Sequence, residues 1–118
     1  MKGILVIAHG SRAKETEATL DAIISMVKTK LPELTIECAF MEFSERTVEK
    51  SISSLIKSGV TDIKVVPYFL FMGIHLKKDI PGIVKKCTEG CPGIKVTMGE
   101  PLGVDKRIAD ILIDRILS

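Results

Sequence analysis

The segment Ile4 to Ala8 is an unbroken apolar run that stops abruptly at His9-Gly10-Ser11-Arg12. Such a run suits a strand covered on both faces, as in a parallel sheet wrapped by helices. Parallel neighbours need a long crossover between them, usually a helix. The rest of the chain supplies it. Leu20, Ile23, Ile24, Val27 and Leu31 form one helical stripe that Pro32 ends. Leu34, Ile36, Cys38 and Phe40 alternate with Thr35, Glu37 and Ala39, the pattern of a half-exposed edge strand. Val48, Ile52, Leu55 and Ile56 mark a second helix, with Gly59 placed for a left-handed cap.

Ile63 to Phe71 is the most hydrophobic stretch and predicts a central third strand ended by Gly73. Asp79 and Pro81 suit the cap and first turn of a third helix that buries Ile80, Ile83, Val84 and Cys87. Ile94 to Met98 predicts a short fourth strand, and Asp105 caps a last helix carrying Ile108, Leu112 and Ile116. The expected fold is therefore a three-layer α/β/α sandwich on a four-stranded parallel sheet, strand and helix repeated four times. With 118 residues it is a single domain over 1–118, able to close one core but with little surface to enclose a large ligand.

Composition excludes several classes. Hydrophobic residues at 46% against 27% charged rule out disorder. Seventeen basic against fifteen acidic residues offer no electrostatic footprint for nucleic acid. The three cysteines, Cys38, Cys87 and Cys91, are too few and odd in number for a secreted disulfide scaffold. Cys87 and Cys91 read first as plain thiols. No apolar run is long enough to be a signal peptide's core or to span a bilayer, so a cytoplasmic protein with no membrane partner is expected.

In open α/β sheets, ligands bind beyond the carboxyl ends of the strands. Both histidines of the chain sit there: His9 directly after the first strand and His75 after the third. Glu42 follows the second strand at the same level. His9, Glu42 and His75 thus form a candidate set of two nitrogens and a carboxylate, suited to a divalent first-row metal with positions left open. The plainer alternative is hydrogen-bonded loop histidines and a solvated glutamate. Gly10, Ser11 and Arg12 lead into a helix N-terminus and have the character of an anion site.

Four stretches carry a family likeness: V-I-A-H-G-S-R (Val6 to Arg12), F-M-E-F-S-E (Phe40 to Glu45), V-V-P-Y-F-L-F-M-G-I-H-L-K-K-D-I-P (Val65 to Pro81) and E-P-L-G-V-D-K-R-I (Glu100 to Ile108). In order and spacing the chain resembles the small, single-domain class II sirohydrochlorin cobalt/nickel chelatases. The resemblance implies insertion of Co(II) or Ni(II) into sirohydrochlorin, for cobalamin or the nickel tetrapyrrole of methanogenesis. It needs no cofactor beyond that substrate metal. It implies His9 and His75 as metal ligands, His9 also as proton acceptor, and Glu42 helping to hold the metal. Substrate contacts are implied at Glu45 and along Leu70, Phe71, Met72, Gly73, Ile74 and His75. The residues themselves add Ser11 and Arg12 for the carboxylate rim. Arg46 stands where the family often has Pro, and Cys87 and Cys91 lie where some relatives carry a histidine-rich insertion.

Three rivals use similar residues. A histidine phosphatase wants Arg before its first His, where this chain has Ala8. A non-catalytic tetrapyrrole or metal carrier would use the same groups, and a sirohydrochlorin ferrochelatase the same ligand types. A half-length chelatase is also expected to form a homodimer, two crevices facing one macrocycle. The Phe69, Phe71 and Met72 region and the last helix are candidate contacts, unless they are ordinary core.

Overall fold

The structure is a computed structural model that describes residues 1–118. Its elements run β1 (Lys2–Ala8), α1 (Glu15–Lys30), β2 (Thr35–Phe40), α2 (Val48–Lys57), β3 (Asp62–Pro67), α3 (Ile74–Thr88), β4 (Lys95–Met98) and α4 (Lys106–Leu117). All neighbouring strands pair in parallel, in the order β2-β1-β3-β4. The expected α/β architecture is the one observed, with β2 at an edge and β3 inside.

The unbroken run in β1 is explained by its two covers. Leu5 and Ile7 point to one face, where Ile63 and Val65 of β3 join Ile52, Leu55, Ile80 and Val84 of α2 and α3. Val6 and Ala8 point to the other, with Ile36, Cys38 and Phe40 of β2 under Leu20 and Ile24 of α1. Ser51, the one buried polar side chain, donates its hydroxyl hydrogen to the Cys38 carbonyl at 3.1 Å and so enters the core without an unmet group. Gly59 adopts φ 93° just beyond α2, as its position predicts. Thr47 caps α2 by accepting from the Lys50 N–H, and Asp105 caps α4 by accepting from the Arg107 N–H. The Arg107 guanidinium holds the Asp105 carboxyl far below the usual carboxylate range.

Two boundaries differ from expectation. β3 stops at Pro67 rather than Phe71, because its partners run out. The Tyr68 N–H makes the last bond, to the Ile7 carbonyl, and the next carbonyl on that side, of His9, is taken by the Glu42 N–H. Residues 68–73 are therefore loop. α3 begins at Ile74, not at the Asp79–Pro81 signal, and Pro81 lies inside it. Leu76 packs against the core below Ile80, one helical turn away, which draws the preceding turn into the helix. Asp79 is consequently not a cap. The fourth helix differs more: none of its residues is buried, and it belongs to neither outer layer.

Candidate functional site

Parallel pairing of β1 with β2 fixes the core of the site. The register Ala8↔Phe40 continues past both strand ends. The Met41 N–H donates to the Ala8 carbonyl at 2.9 Å and the Glu42 N–H to the His9 carbonyl at 3.1 Å. The two loops are thus zipped together for one residue pair beyond the sheet. Gly10 is required there. Its φ is 96°, and a Cβ would run into the Glu42 backbone carbonyl.

That backbone brings His9 Nε2 to 2.8 Å from Glu42 Oε1. A contact of that length needs a hydrogen on Nε2, so the neutral ring keeps its lone pair on Nδ1. A carboxylate on the far nitrogen is the arrangement that orients histidine ligands and raises their basicity. The ring meets Phe69 edge-on, 6.3 Å between centroids. Both side chains of the pair stay open to solvent, His9 at 63%.

The loop that follows closes on itself, the Phe40 N–H donating to the Arg46 carbonyl at 2.9 Å. At its tip Phe43 is held at φ 57°, the only non-glycine residue of the chain in the left-handed region. Its ring carries the Arg12 guanidinium 4.9 Å from the centroid, a cation–π contact that steadies an otherwise free cation. Ser11 accepts from the Ala13 N–H at 3.0 Å, an anchor for the turn into α1. Glu45 is exposed beside Phe43. Arg46 forms a bidentate pair with Asp21, both bonds 2.9 Å, and stacks on Phe40. It therefore ties the loop to α1, a role that a proline could not fill.

His75 is placed differently from the sequence picture. It occupies the first turn of α3, past the carboxyl end of β3, and is exposed. No three His, Cys, Asp or Glu side chains stand close enough together to hold a metal ion. The structure thus joins His9 to Glu42 and leaves His75 apart. Leu70, Phe71 and Ile74 project outward, Phe71 at 83% exposure, whereas Met72 packs on the core and Gly73 opens α3. The strand-end loop after β3 is therefore an apolar, outward-facing ridge rather than a hidden wall.

A cleft of about 430 Å³ lies beside His9 and Gly10, between Thr16 and Thr19 of α1 and Tyr68. A larger hollow of about 530 Å³ lies between α2 and α3, lined by Met41, Glu49, Ile83 and Lys86, and contains neither histidine. His9 lines the smaller one. Sequence reasoning gave Phe43 no role of its own and read Phe69 only as a candidate subunit contact, not as a neighbour of His9. The β-strand register that places Phe43 was visible, but its left-handed turn had no glycine or asparagine to announce it.

The CbiX family model matches residues 3–118. A sirohydrochlorin ferrochelatase of Priestia megaterium is 40% identical over 98% of this chain, which spans only 44% of that relative. A sirohydrochlorin cobaltochelatase of Methanosarcina acetivorans is 36% identical over 97% of the chain and 93% of its own length. Among solved structures, the sirohydrochlorin chelatase SirB of Bacillus subtilis subspecies spizizenii in complex with cobalt superimposes with a TM-score of 0.88. It is 31% identical, and the match covers 98% of this chain and 49% of that one.

Proposed function

The chain belongs to the CbiX family, and from that membership we propose that it is a sirohydrochlorin chelatase inserting Co(II) or Ni(II). The observation that carries this reading is the His9–Glu42 pair at 2.8 Å, solvent-open and set at the carboxyl end of the sheet. The 36% identity to a cobaltochelatase supports the cobalt reading. The identity of 40% to a ferrochelatase keeps siroheme synthesis as a second reading.

Insertion must strip water from the metal and remove the pyrrole N–H protons. In the proposed mechanism Glu42 fixes the His9 ring and leaves Nδ1 free. Nδ1 first takes the metal, and Glu42 helps to hold it through its charge, from the opposite nitrogen of the ring. His75 supplies a second nitrogen from α3 once the macrocycle bridges the gap. As the metal passes to the pyrrole nitrogens, His9 accepts one proton, and Glu42 or water takes the other. Leu70, Phe71 and Ile74 cover the macrocycle's face, with Met72 and Gly73 shaping the ridge behind them. Its carboxylate rim meets Arg12, the Ser11 turn and the backbone N–H groups opening α1. Glu45 contacts the substrate at the loop tip.

A cleft of about 430 Å³ is small for a tetrapyrrole. Two copies with their ridges facing each other would enclose one, so the working unit is a homodimer. Three unbridged cysteines suit a reducing cytoplasm, and no helix is long and apolar enough to cross a membrane.

The test is direct. The protein is incubated with sirohydrochlorin and Co(II), Ni(II) or Fe(II) in turn, and the absorption change is followed against the spontaneous rate. Acceleration with Co(II) or Ni(II) is expected. Acceleration with Fe(II) alone would move the assignment to siroheme synthesis. Tight pigment binding without acceleration would make the protein a carrier.

A further inference from the structure

Arg46 makes ion pairs unlike those of any other lysine or arginine in the chain. The remaining Lys and Arg pairs join residues at most four apart. Arg46 reaches across 25 positions to Asp21. Its Nη1 donates to Asp21 Oδ2 and its Nη2 to Asp21 Oδ1, both at 2.9 Å. Glu17 Oε1 adds a second carboxylate at 3.6 Å, and the Phe40 ring backs the guanidinium 5.4 Å from its centroid. Exposed pairs contribute little as a rule, because two mobile side chains are immobilised for a screened attraction. A guanidinium fork matched to both oxygens of a short carboxylate, with an aromatic ring behind it, is the exception.

The pair joins the two walls of the site. At one end, Arg46 is where the loop after β2 closes. Its carbonyl accepts from the Phe40 N–H, and its own N–H donates to Ser44 Oγ at 3.0 Å. Glu42 lies inside that closed loop. At the other end, Asp21 belongs to α1, which is lightly seated: of its sixteen residues only Leu20 and Ile24 are buried. The turn before them buries nothing, yet its Thr16 and Thr19 line the cleft beside His9. Phe40 is common to all these parts. It lines the cleft, starts the loop and lies under the guanidinium.

Arg46 and Asp21 themselves stand outside the cleft. They line a separate hollow of about 180 Å³ with Lys28, Glu37 and Cys38, and neither lines the cleft that holds His9. An effect of Asp21 on chemistry at His9 must therefore travel through the loop.

We propose that Arg46 is a positioning residue: by gripping Asp21 it fixes the 41–45 loop against α1 and so holds the Glu42 carboxylate on His9 Nε2. Without the grip the loop leans away from α1, and the imidazole loses the partner that orients it. The contacts with the macrocycle stay in place, so the loss falls on turnover. This kinetic consequence rests on the chelatase reading, whereas the mechanical one does not.

Amide hydrogen exchange, followed residue by residue by NMR, tests the mechanical part with neither pigment nor metal. Arg46→Ala and Asp21→Asn should each speed exchange at Phe40, Met41 and Glu42 about tenfold more than at Leu5 and Ile63, whose amides report opening of the core. Equal changes in both sets would overturn the proposal, because they describe a pair that stabilises the whole molecule and positions nothing. Insertion of Co(II) or Ni(II) into sirohydrochlorin tests the kinetic part. Arg46→Ala should lower kcat about tenfold with KM within about twofold, and Asp21→Asn should match it. Arg46→Lys keeps the charge but not the fork, and should recover part of the rate. Combined with Glu42→Gln, Arg46→Ala should add little to the loss that Glu42→Gln causes alone. A loss of about a hundredfold in the double variant, the product of two independent effects, would overturn the proposal. So would a wild-type kcat in Arg46→Ala. If the wild-type protein accelerates insertion of no metal while the exchange pattern is as described, the chelatase reading falls and the grip of Arg46 on the loop stands.

Discussion

His9 Nε2 lies 2.8 Å from Glu42 Oε1, the two side chains held by loops that remain hydrogen-bonded to each other past the ends of β1 and β2. An imidazole tethered this way presents one defined nitrogen to whatever enters the cleft. His9→Ala should reduce insertion at least a hundredfold with both Co(II) and Ni(II), while the thermal midpoint stays within a few degrees, because the side chain is mostly exposed. Glu42→Gln keeps a hydrogen-bond acceptor but loses the charge, and a tenfold loss is expected, the usual cost of removing such an outer partner. Absorption spectra of the pigment at matched protein concentration give both numbers. An His9→Ala protein with wild-type rate would end the assignment.

His75 stands apart from that pair. If it meets the metal only when the macrocycle is present, His75→Ala should leave metal affinity in the absence of pigment nearly unchanged and depress the insertion rate. Calorimetric titration with Co(II) or Ni(II) separates the two effects. Loss of metal binding without pigment would show instead that α3 swings toward His9 before substrate arrives.

Gly10→Ala tests the close approach of the loops. The left-handed backbone alone costs about 1–2 kcal/mol with a Cβ, and the Glu42 carbonyl must also move. The thermal midpoint should fall by about 4 °C or more per kcal/mol. Insertion should fall further than stability explains, because the displaced carbonyl belongs to Glu42.

Arg12 and Phe43 form the rim. Arg12→Ala should raise KM for sirohydrochlorin about tenfold, the worth of one charge-assisted bond of roughly 1.5 kcal/mol, with kcat little changed. Phe43→Leu removes the ring under the guanidinium and should produce a smaller rise. Equal falls in kcat for both variants would point to the His9–Glu42 pair being disturbed instead.

Burial raises the pKa of Cys38, and desolvation with the nearby Glu49 charge raises that of Cys87. A raised thiol pKa means less thiolate at neutral pH, so alkylation should be slow at both and should quicken as pH rises. Cys38 should label only as fast as the core opens. A mass-spectrometric time course of iodoacetamide labelling at two pH values measures this. Fast labelling of Cys38 at neutral pH would contradict its place between β2 and α1.

The edge place of β2, the inner places of β1 and β3 and most of the element boundaries were legible because periodicity reports burial directly. The continuous run in β1 and the alternation in β2 announced an inner and an edge strand. The run from Ile63 to Phe71 misled at its far end. Apolar character continues past Pro67, but pairing does not, and the residues beyond it face outward instead of inward. Asp79 and Pro81 misled in a similar way. Local start signals lost to the packing of Leu76 against the core, and a proline was absorbed mid-helix. Of the site, His9 and Glu42 could be placed together from strand ends alone. The separation of His75 could not, since it depends on the path of a six-residue loop. The exposed state of α4 was invisible because an amphipathic stripe reads the same whether its cover is intramolecular or borrowed.

The bond from the Glu42 N–H to the His9 carbonyl makes the sheet a ruler for the dyad. Spacing between imidazole and carboxylate is counted in whole residues from the strand register, so it cannot be adjusted gradually. An insertion or deletion within β2 would carry Glu42 to the opposite face and abolish the pair outright, whereas changes in the 68–73 loop shift His75 by small amounts. Variation in metal preference should therefore accumulate on the α3 side of the cleft, and the β1–β2 side should be inherited as a block.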